Sequence, residues 1–331
     1  MHITVSDYGQ ALGITGARLT VSEKGRCIQE YPLSRVKTIT VAKSGVSLSS
    51  NMITACALRG IKLFVMDWRP RGIVCLQGSQ QHAVVRVRQK QFEYLAQSAN
   101  QLHMGQQFIV GKIRNQRAVL KYFGKYSARR PDHKQRLEDA CQELAISSDN
   151  VKKMHLPKAG EWRSTLLGHE GFAARSYWQT LRDCALLPAS FPGRTGRNAQ
   201  DVGNSMLNYG YAILSSYIWH CVINAGLESF AGVLHTERAG KPCLILDLME
   251  EYRPWVVDRN VIKLREQCSD KKGLDAAIKR KLAASIHETF RKKHLYKKRK
   301  VSLESILQRQ VYLLAGEFAG ERAYKPFLFK W

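Results

Sequence analysis

The run Asn204-Ser-Met-Leu-Asn-Tyr-Gly-Tyr-Ala-Ile-Leu-Ser-Ser-Tyr-Ile-Trp-His-Cys-Val-Ile-Asn-Ala225 decides what kind of chain this is. Its length and apolar content suit either a membrane span or a helix at the centre of a soluble domain. Ser215, Ser216 and His220 interrupt it. Polar side chains are costly in hydrocarbon, so the run reads as a buried core helix. No run of 18 apolar residues and no basic amphipathic anchor stands out, and no membrane partner is expected.

Working outward, the flanks are also helical in character. Upstream, Val84, Val87, Gln91, Tyr94 and Leu95 fall at helical spacing, and that character persists to about Phe123. Arg129, Arg130 and Pro131 mark a linker within 128–132, and helices are expected over Lys134–Ile146 and Trp162–Leu181. Residues 188–197 form a loop by composition. Downstream, Ser302–Gly316 places Leu303, Ile306, Leu307, Val311 and Leu314 on one helical face. The aromatic tail from Tyr324 to Trp331 should pack against the body.

Residues 1–78 have a different texture. Short apolar runs at Ile3–Val5, Arg18–Val21, Thr38–Val41, Lys62–Met66 and Gly72–Leu76 alternate with Gly, Ser and Pro, as strands do. One helix, Asn51–Arg59, has Ser49 or Ser50 as its cap and Gly60 as its stop. The expected fold class is α+β: a small N-terminal β-rich domain over 1–78, then a larger all-α domain over 79–331.

Charge narrows the function. Among 331 residues, 52 Lys and Arg against 27 Asp and Glu leave a net charge of +25. Such a surplus calls for a polyanionic partner. The eight cysteines are scattered without a Cys-x-x-Cys pair, which argues against zinc ribbons and a disulfide framework. They read as reduced, buried small hydrophobes of a cytoplasmic protein. No phosphate loop, Gly-x-Ser-x-Gly elbow or His-Glu-x-x-His motif occurs.

Three side chains are candidates for a metal site: Glu170, His235 and Glu250. Two carboxylates and a neutral imidazole can hold a hard divalent cation and leave positions for water and phosphate. On a basic chain that combination points to phosphodiester chemistry. Each has a plainer reading. Glu170, beside the small Gly171, Ala173 and Ala174, could be a helix Glu paired with an Arg, and His235 could be a turn histidine. Asp247 and Glu250, three apart, fit a shared cation or a capping box with Asp247 as cap. Arg194 and Arg197 in the loop, Lys241, Arg253, and Arg291, Lys292 and Lys293 in the basic run 291–300 are candidates for DNA contact.

Taken in order, Gly168-His-Glu-Gly-Phe-Ala-Ala-Arg-Ser-Tyr-Trp178, Asn204-Ser-Met-Leu-Asn-Tyr-Gly-Tyr211, Gly226-Leu through Leu234-His235, and Leu246-Asp-Leu-Met-Glu-Glu-Tyr-Arg-Pro254 resemble the CRISPR-associated protein one family. The helix carrying Gln308-Arg-Gln310 and the aromatic tail fit as well. The family comprises integrases that insert spacers into CRISPR arrays. The resemblance implies an N-terminal β domain used for dimerisation and a helical catalytic domain. It implies Mg²⁺ or Mn²⁺ on Glu170, His235 and Glu250, with Asp247 as auxiliary ligand or cap. Many relatives carry Asp where Glu250 stands, and Cys243 stands where relatives often have Ser. The implied partners are double-stranded DNA, as protospacer and CRISPR repeat, a second copy of the chain, and a CRISPR-associated protein two dimer that bridges two such dimers. Two other readings of the residues remain: a non-catalytic DNA-binding subunit and a branched-DNA repair nuclease.

Overall fold

The computed structural model describes residues 1–66, 73–76, 78, 85–125, 130–156, 162–196, 199–268 and 273–330. Its N-terminal part is built from β1 (His2–Val5), β2 (Gln10–Thr15), β3 (Arg18–Glu23), β4 (Arg26–Pro32), β5 (Thr38–Val41), β6 (Ser47–Leu48), α1 (Ser50–Leu58), β7 (Lys62–Met66) and β8 (Ile73–Leu76). One sheet has the order β4-β3-β2-β6 and the other β1-β5-β7-β8. In the second, β1, β5 and β7 run parallel and β8 returns antiparallel. Ser49 caps α1 by accepting a hydrogen bond from the Met52 amide, and Gly60 follows its end at φ +67°.

The strands β2 and β4 have no counterpart in the sequence reading. β4 is largely exposed along its length, so it shows no apolar alternation. β2 carries Gly13 in its middle, where a Cβ would come 3.3 Å from Thr20 Oγ1.

Strand alternation makes β7 a shared wall. Leu63 points into a core with Ile3, Val5, Leu12, Leu19, Ile39 and Met52, while Phe64 and Met66 join the helical core. The domain boundary expected after residue 78 adjoins residues 79–84, which lie outside the described residues.

The helical part comprises α2 (Val85–Leu95), α3 (Ser98–Gly124), α4 (Pro131–Lys153), α5 (Trp162–Asp183), α6 (Val202–Ala225), α7 (Cys243–Tyr252), α8 (Arg259–Leu264), α9 (Ala276–Arg291), the hairpin β9 (Lys293–Tyr296) and β10 (Arg299–Ser302), and α10 (Leu303–Phe318). A wide π-helical stretch, Arg253–Asp258, joins α7 to α8 around Pro254. The helical segment expected through Phe123 breaks between α2 and α3. There Asn100 and Gln101 side chains donate to the carbonyls of Tyr94 and Leu95, satisfying the end of α2. Pro131 opens α4 at its first turn.

The opening stretch forms α6, and it is the central helix. Asp201 accepts from the Asn204 amide at its start, and Gly226 at φ +74° ends it. α7, α9, α10 and the parallel sheet all pack on it. Its polar breaks are accommodated locally: Ser216 donates to the Ile213 carbonyl, and His220 bonds Asn224. Among the described residues no helix is long and apolar enough to cross a membrane. All eight cysteines are free thiols, and only Cys27 is fully exposed.

Candidate active site

Two glycines bring the site together. A Cβ on Gly232 would lie 2.6 Å from Cys243 and 2.8 Å from Asp247 Oδ2, so the loop before His235 sits directly on the first turns of α7. Gln91, fully buried on α2, anchors that loop by donating to the carbonyls of Glu228 and Ala231 and accepting from the Glu228 amide. Arg163 on α5 holds it from the other side through the Val233 carbonyl.

Close approach lets Asp247 gather the loop's donors. Its Oδ2 accepts from the amides of Val233 and Leu234 at 2.5 and 3.0 Å. Its Oδ1 accepts from the His235 amide at 3.1 Å and from His235 Nδ1 at 2.6 Å. Asp247 is therefore not a helix cap. α7 begins four residues earlier, at Cys243 after Pro242, so the capping-box reading fails. A carboxylate can only accept, so in the neutral ring the imidazole proton is held on Nδ1 and Nε2 presents a lone pair.

The second glycine is Gly111 on α3. A Cβ there would meet Pro326 at 2.7 Å and Glu251 at 2.9 Å, which shows how tightly α3 lies on α7 and the C-terminal tail. The next residue, Lys112, then reaches between α5 and α7. Its ammonium pairs with Glu170 and lies 2.6 Å from Glu250 Oε2. Arg253, one turn after Glu250, pairs with its other oxygen and lies over the Tyr211 ring. Burial alone would raise the Glu250 carboxyl. The Arg253 guanidinium and Lys112 ammonium outweigh burial and hold it down at about 2.

Glu170, His235 and Glu250 thus come from α5, the loop before α7, and α7 itself. Among the described residues no three His, Cys, Asp or Glu side chains converge closely enough to hold a metal ion in this conformation. The donor chemistry nevertheless fits a hard cation. Glu250 Oε2 is buried and accepts no aligned hydrogen bond, His235 Nε2 is available, and the two carboxylates already face one positive charge. Glu170 is partly exposed, with 22% of its side-chain surface open to solvent. A groove of about 420 Å³, lined by Phe92, Gln101, Arg163, Gly232 and Thr236, opens beside His235.

The basic candidates divide. Arg194 is engaged by Asn204 and Asn208 at 3.0 and 2.8 Å and holds the 188–196 loop to α6. Arg253 serves Glu250. Lys241 is half-buried and lines a separate pocket with Glu228, Phe230 and Glu237. Arg291, Lys292 and Lys293 are exposed where α9 passes into the β9–β10 hairpin. Arg197 lies outside the described residues. Lys112, Arg163 and the anchoring role of Gln91 were not singled out from sequence, because a lone Lys, Arg or Gln in a helix carries no local signal.

The sequence pattern of the family described as CRISPR associated protein Cas1 matches residues 3–297. The chain belongs to the Cas1 family. It is 46% identical over 331 residues to the CRISPR-associated endonuclease Cas1 1 of Francisella tularensis subsp. novicida (strain U112), covering 100% of this chain and 99% of that relative. Its fold resembles a solved casposase bound to integration product, with a TM-score of 0.78, 20% identity, and coverage of 99% of this chain and 94% of the casposase. It also resembles a chain of a Cas6-RT-Cas1–Cas2 complex, with a TM-score of 0.79 and 21% identity. That match takes in all of this chain and 36% of the longer one. The α+β architecture of this chain is thus shared with these two solved structures.

Proposed function

We propose that this Cas1 family member is a CRISPR adaptation integrase, which joins the 3′-hydroxyl of an incoming spacer to a phosphodiester at a CRISPR repeat boundary. The observation that carries the proposal is the convergence of two carboxylates from different helices on a single buried cation, beside an imidazole whose free nitrogen is fixed by Asp247. Glu170, Glu250 and His235 would hold Mg²⁺ or Mn²⁺, which when bound polarises the scissile phosphate and stabilises the departing 3′ oxygen. A histidine ligand favours Mn²⁺ relative to an all-oxygen site.

The chain's own residues do the rest. Asp247 holds the His235 proton on Nδ1 and fixes the ring. Arg253 keeps Glu250 ionised. The groove beside His235 admits the DNA ends. Arg291, Lys292 and Lys293 neutralise phosphates without reading sequence. Because the nucleophile belongs to the spacer, no protein nucleophile is required; water in its place would give endonuclease cleavage. In this reading the N-terminal sheets form a homodimer interface, and a CRISPR-associated protein two dimer joins two such dimers on protospacer and repeat DNA in the cytoplasm.

The test is an integration assay with a short labelled duplex, a plasmid bearing a CRISPR repeat, the partner and Mn²⁺. Strand-transfer products from wild type but not from Glu170→Ala or His235→Ala, with DNA binding retained, are expected. Equal products from all three would remove these residues from the mechanism. DNA binding without products from any would favour an architectural subunit, and cleavage indifferent to the repeat would favour a branched-DNA nuclease.

A further inference from the structure

We propose that Lys112 is a tethered counter-cation of the carboxylate pair, which a divalent ion must displace, and that it thereby sets how tightly the site takes metal. The inference rests on the metal-site reading above and assigns a positioning residue to it. Lys112 contributes one positive charge between Glu170 and Glu250, and Arg253 contributes another at Glu250. Two carboxylates and two cations leave the buried cluster balanced. A divalent ion entering with the ammonium still in place would add two positive charges to a carboxylate pair that is already neutralised, which low-dielectric surroundings oppose.

Space gives the same answer. The ammonium nitrogen lies 2.6 Å from Glu250 Oε2 and also contacts Glu170. Magnesium needs oxygens at about 2.0–2.1 Å and manganese takes the same hard ligands, so ion and ammonium cannot share that gap. Gly111 locks α3 onto α7, whereas the Lys112 side chain has a flexible four-carbon stem. The Glu170 side chain keeps 22% of its surface exposed, so the ammonium can withdraw outward on that side.

The experiment is Mn²⁺ titration by calorimetry and electron paramagnetic resonance on the full chain without DNA, alongside melting with and without Mn²⁺. Lys112→Met should bind Mn²⁺ about tenfold more tightly than wild type or better, melt lower without metal, and gain more in melting temperature when Mn²⁺ is added. Lys112→Arg should bind more weakly, because a guanidinium can bridge both carboxylates through several donors and is harder to displace. The order Met, Lys, Arg from tight to weak is the expected result. If Lys112→Met binds no more tightly than wild type, the proposal is overturned. Should that variant fail to fold, Lys112→Arg decides, and unweakened binding overturns it. Glu170→Ala separates the two levels. If it leaves wild-type Mn²⁺ affinity unchanged, the metal site itself fails and takes this inference with it. If it abolishes binding while the Lys112 order is wrong, only the inference fails.

Discussion

Glu250 and Glu251 are chain neighbours, both buried in α7, and they are held in opposite protonation states. Glu250 faces Lys112 and Arg253 and is held down at about 2. Glu251 faces α3 and the C-terminal tail, where burial dominates and pushes its carboxyl up to about 8. There Glu251 Oε1 accepts from Tyr324, and that bond together with the Phe327 backbone amide does not offset burial. Asn115, one turn after Lys112, ties the Glu251 carbonyl to that of Phe327 and accepts from the Phe329 amide. The two helix faces share depth and residue type and differ in cations. Burial therefore does not make a charged site; facing cations do.

The sharpest way to break the comparison is the same isosteric change at both positions. Glu250→Gln removes a proposed metal donor and leaves Arg253 and Lys112 short of a partner. Losing several kcal/mol of transition-state stabilisation corresponds to about a thousandfold or more in strand transfer. Glu251→Gln should leave strand transfer within about threefold. Its effect lies in stability. The Glu251 carboxyl is raised from its ordinary 4.5 to about 8, so the folded state holds the proton more tightly. That contribution is fully present below pH 4.5 and is lost as pH rises through about 8, a change on the order of a few kcal/mol. Melting curves from pH 5 to 9 should fall in wild type and flatten in Glu251→Gln. A thousandfold activity loss at position 251 would erase the distinction between the faces.

A smaller effect is expected at Asp247. If the Asn oxygen stays on the amides of Val233 and Leu234, its NH₂ replaces the oxygen that serves both the His235 amide and Nδ1, which loses the first bond and favours the tautomer with the proton on Nε2. Outer partners of this kind are worth about 10–100-fold in metal affinity. Mn²⁺ titration of Asp247→Asn checks it, and unchanged affinity would mean that the ring is oriented by something other than Asp247.

Much of this architecture was legible in the sequence, for identifiable reasons. The buried helix through Asn204–Ala225 announces itself by continuous apolar content, and Gly60 and Gly226 end helices as their type suggests. β4 was invisible because an exposed strand has no alternation. At the site, Glu170, His235 and Glu250 stood in ordered motifs. Lys112 did not, because what makes it important is the approach of α3 to α7 at Gly111, a tertiary fact. Asp247 stands out for its spacing to Glu250, which leaves a shared cation and a helix cap both open. Its actual partners are the residues at 233–235, a long-range pairing that spacing within one helix cannot express.

The smallest effect is at Tyr324, and it tests whether the two faces of α7 are independent. Tyr324 is almost fully buried and donates to Glu251 at 2.6 Å. Tyr324→Phe keeps the ring and removes that one hydrogen bond. Below pH 8 the Glu251 carboxyl is neutral, and the loss should be about 1 kcal/mol. At pH 9 the carboxylate is ionised, and the same deletion should approach 2–3 kcal/mol because charged acceptors bind donors more strongly. The melting difference from wild type should therefore widen with pH, while strand transfer at pH 7 stays within about twofold. Gly111 sets the competing expectation. It packs on both Glu251 and Pro326, so loosening the tail could shift α3 and carry Lys112 away from Glu170. A fall in strand transfer larger than the fall in stability would show that the tail positions the ionic face through α3, and the separation between neighbouring carboxylates would then be one of charge only.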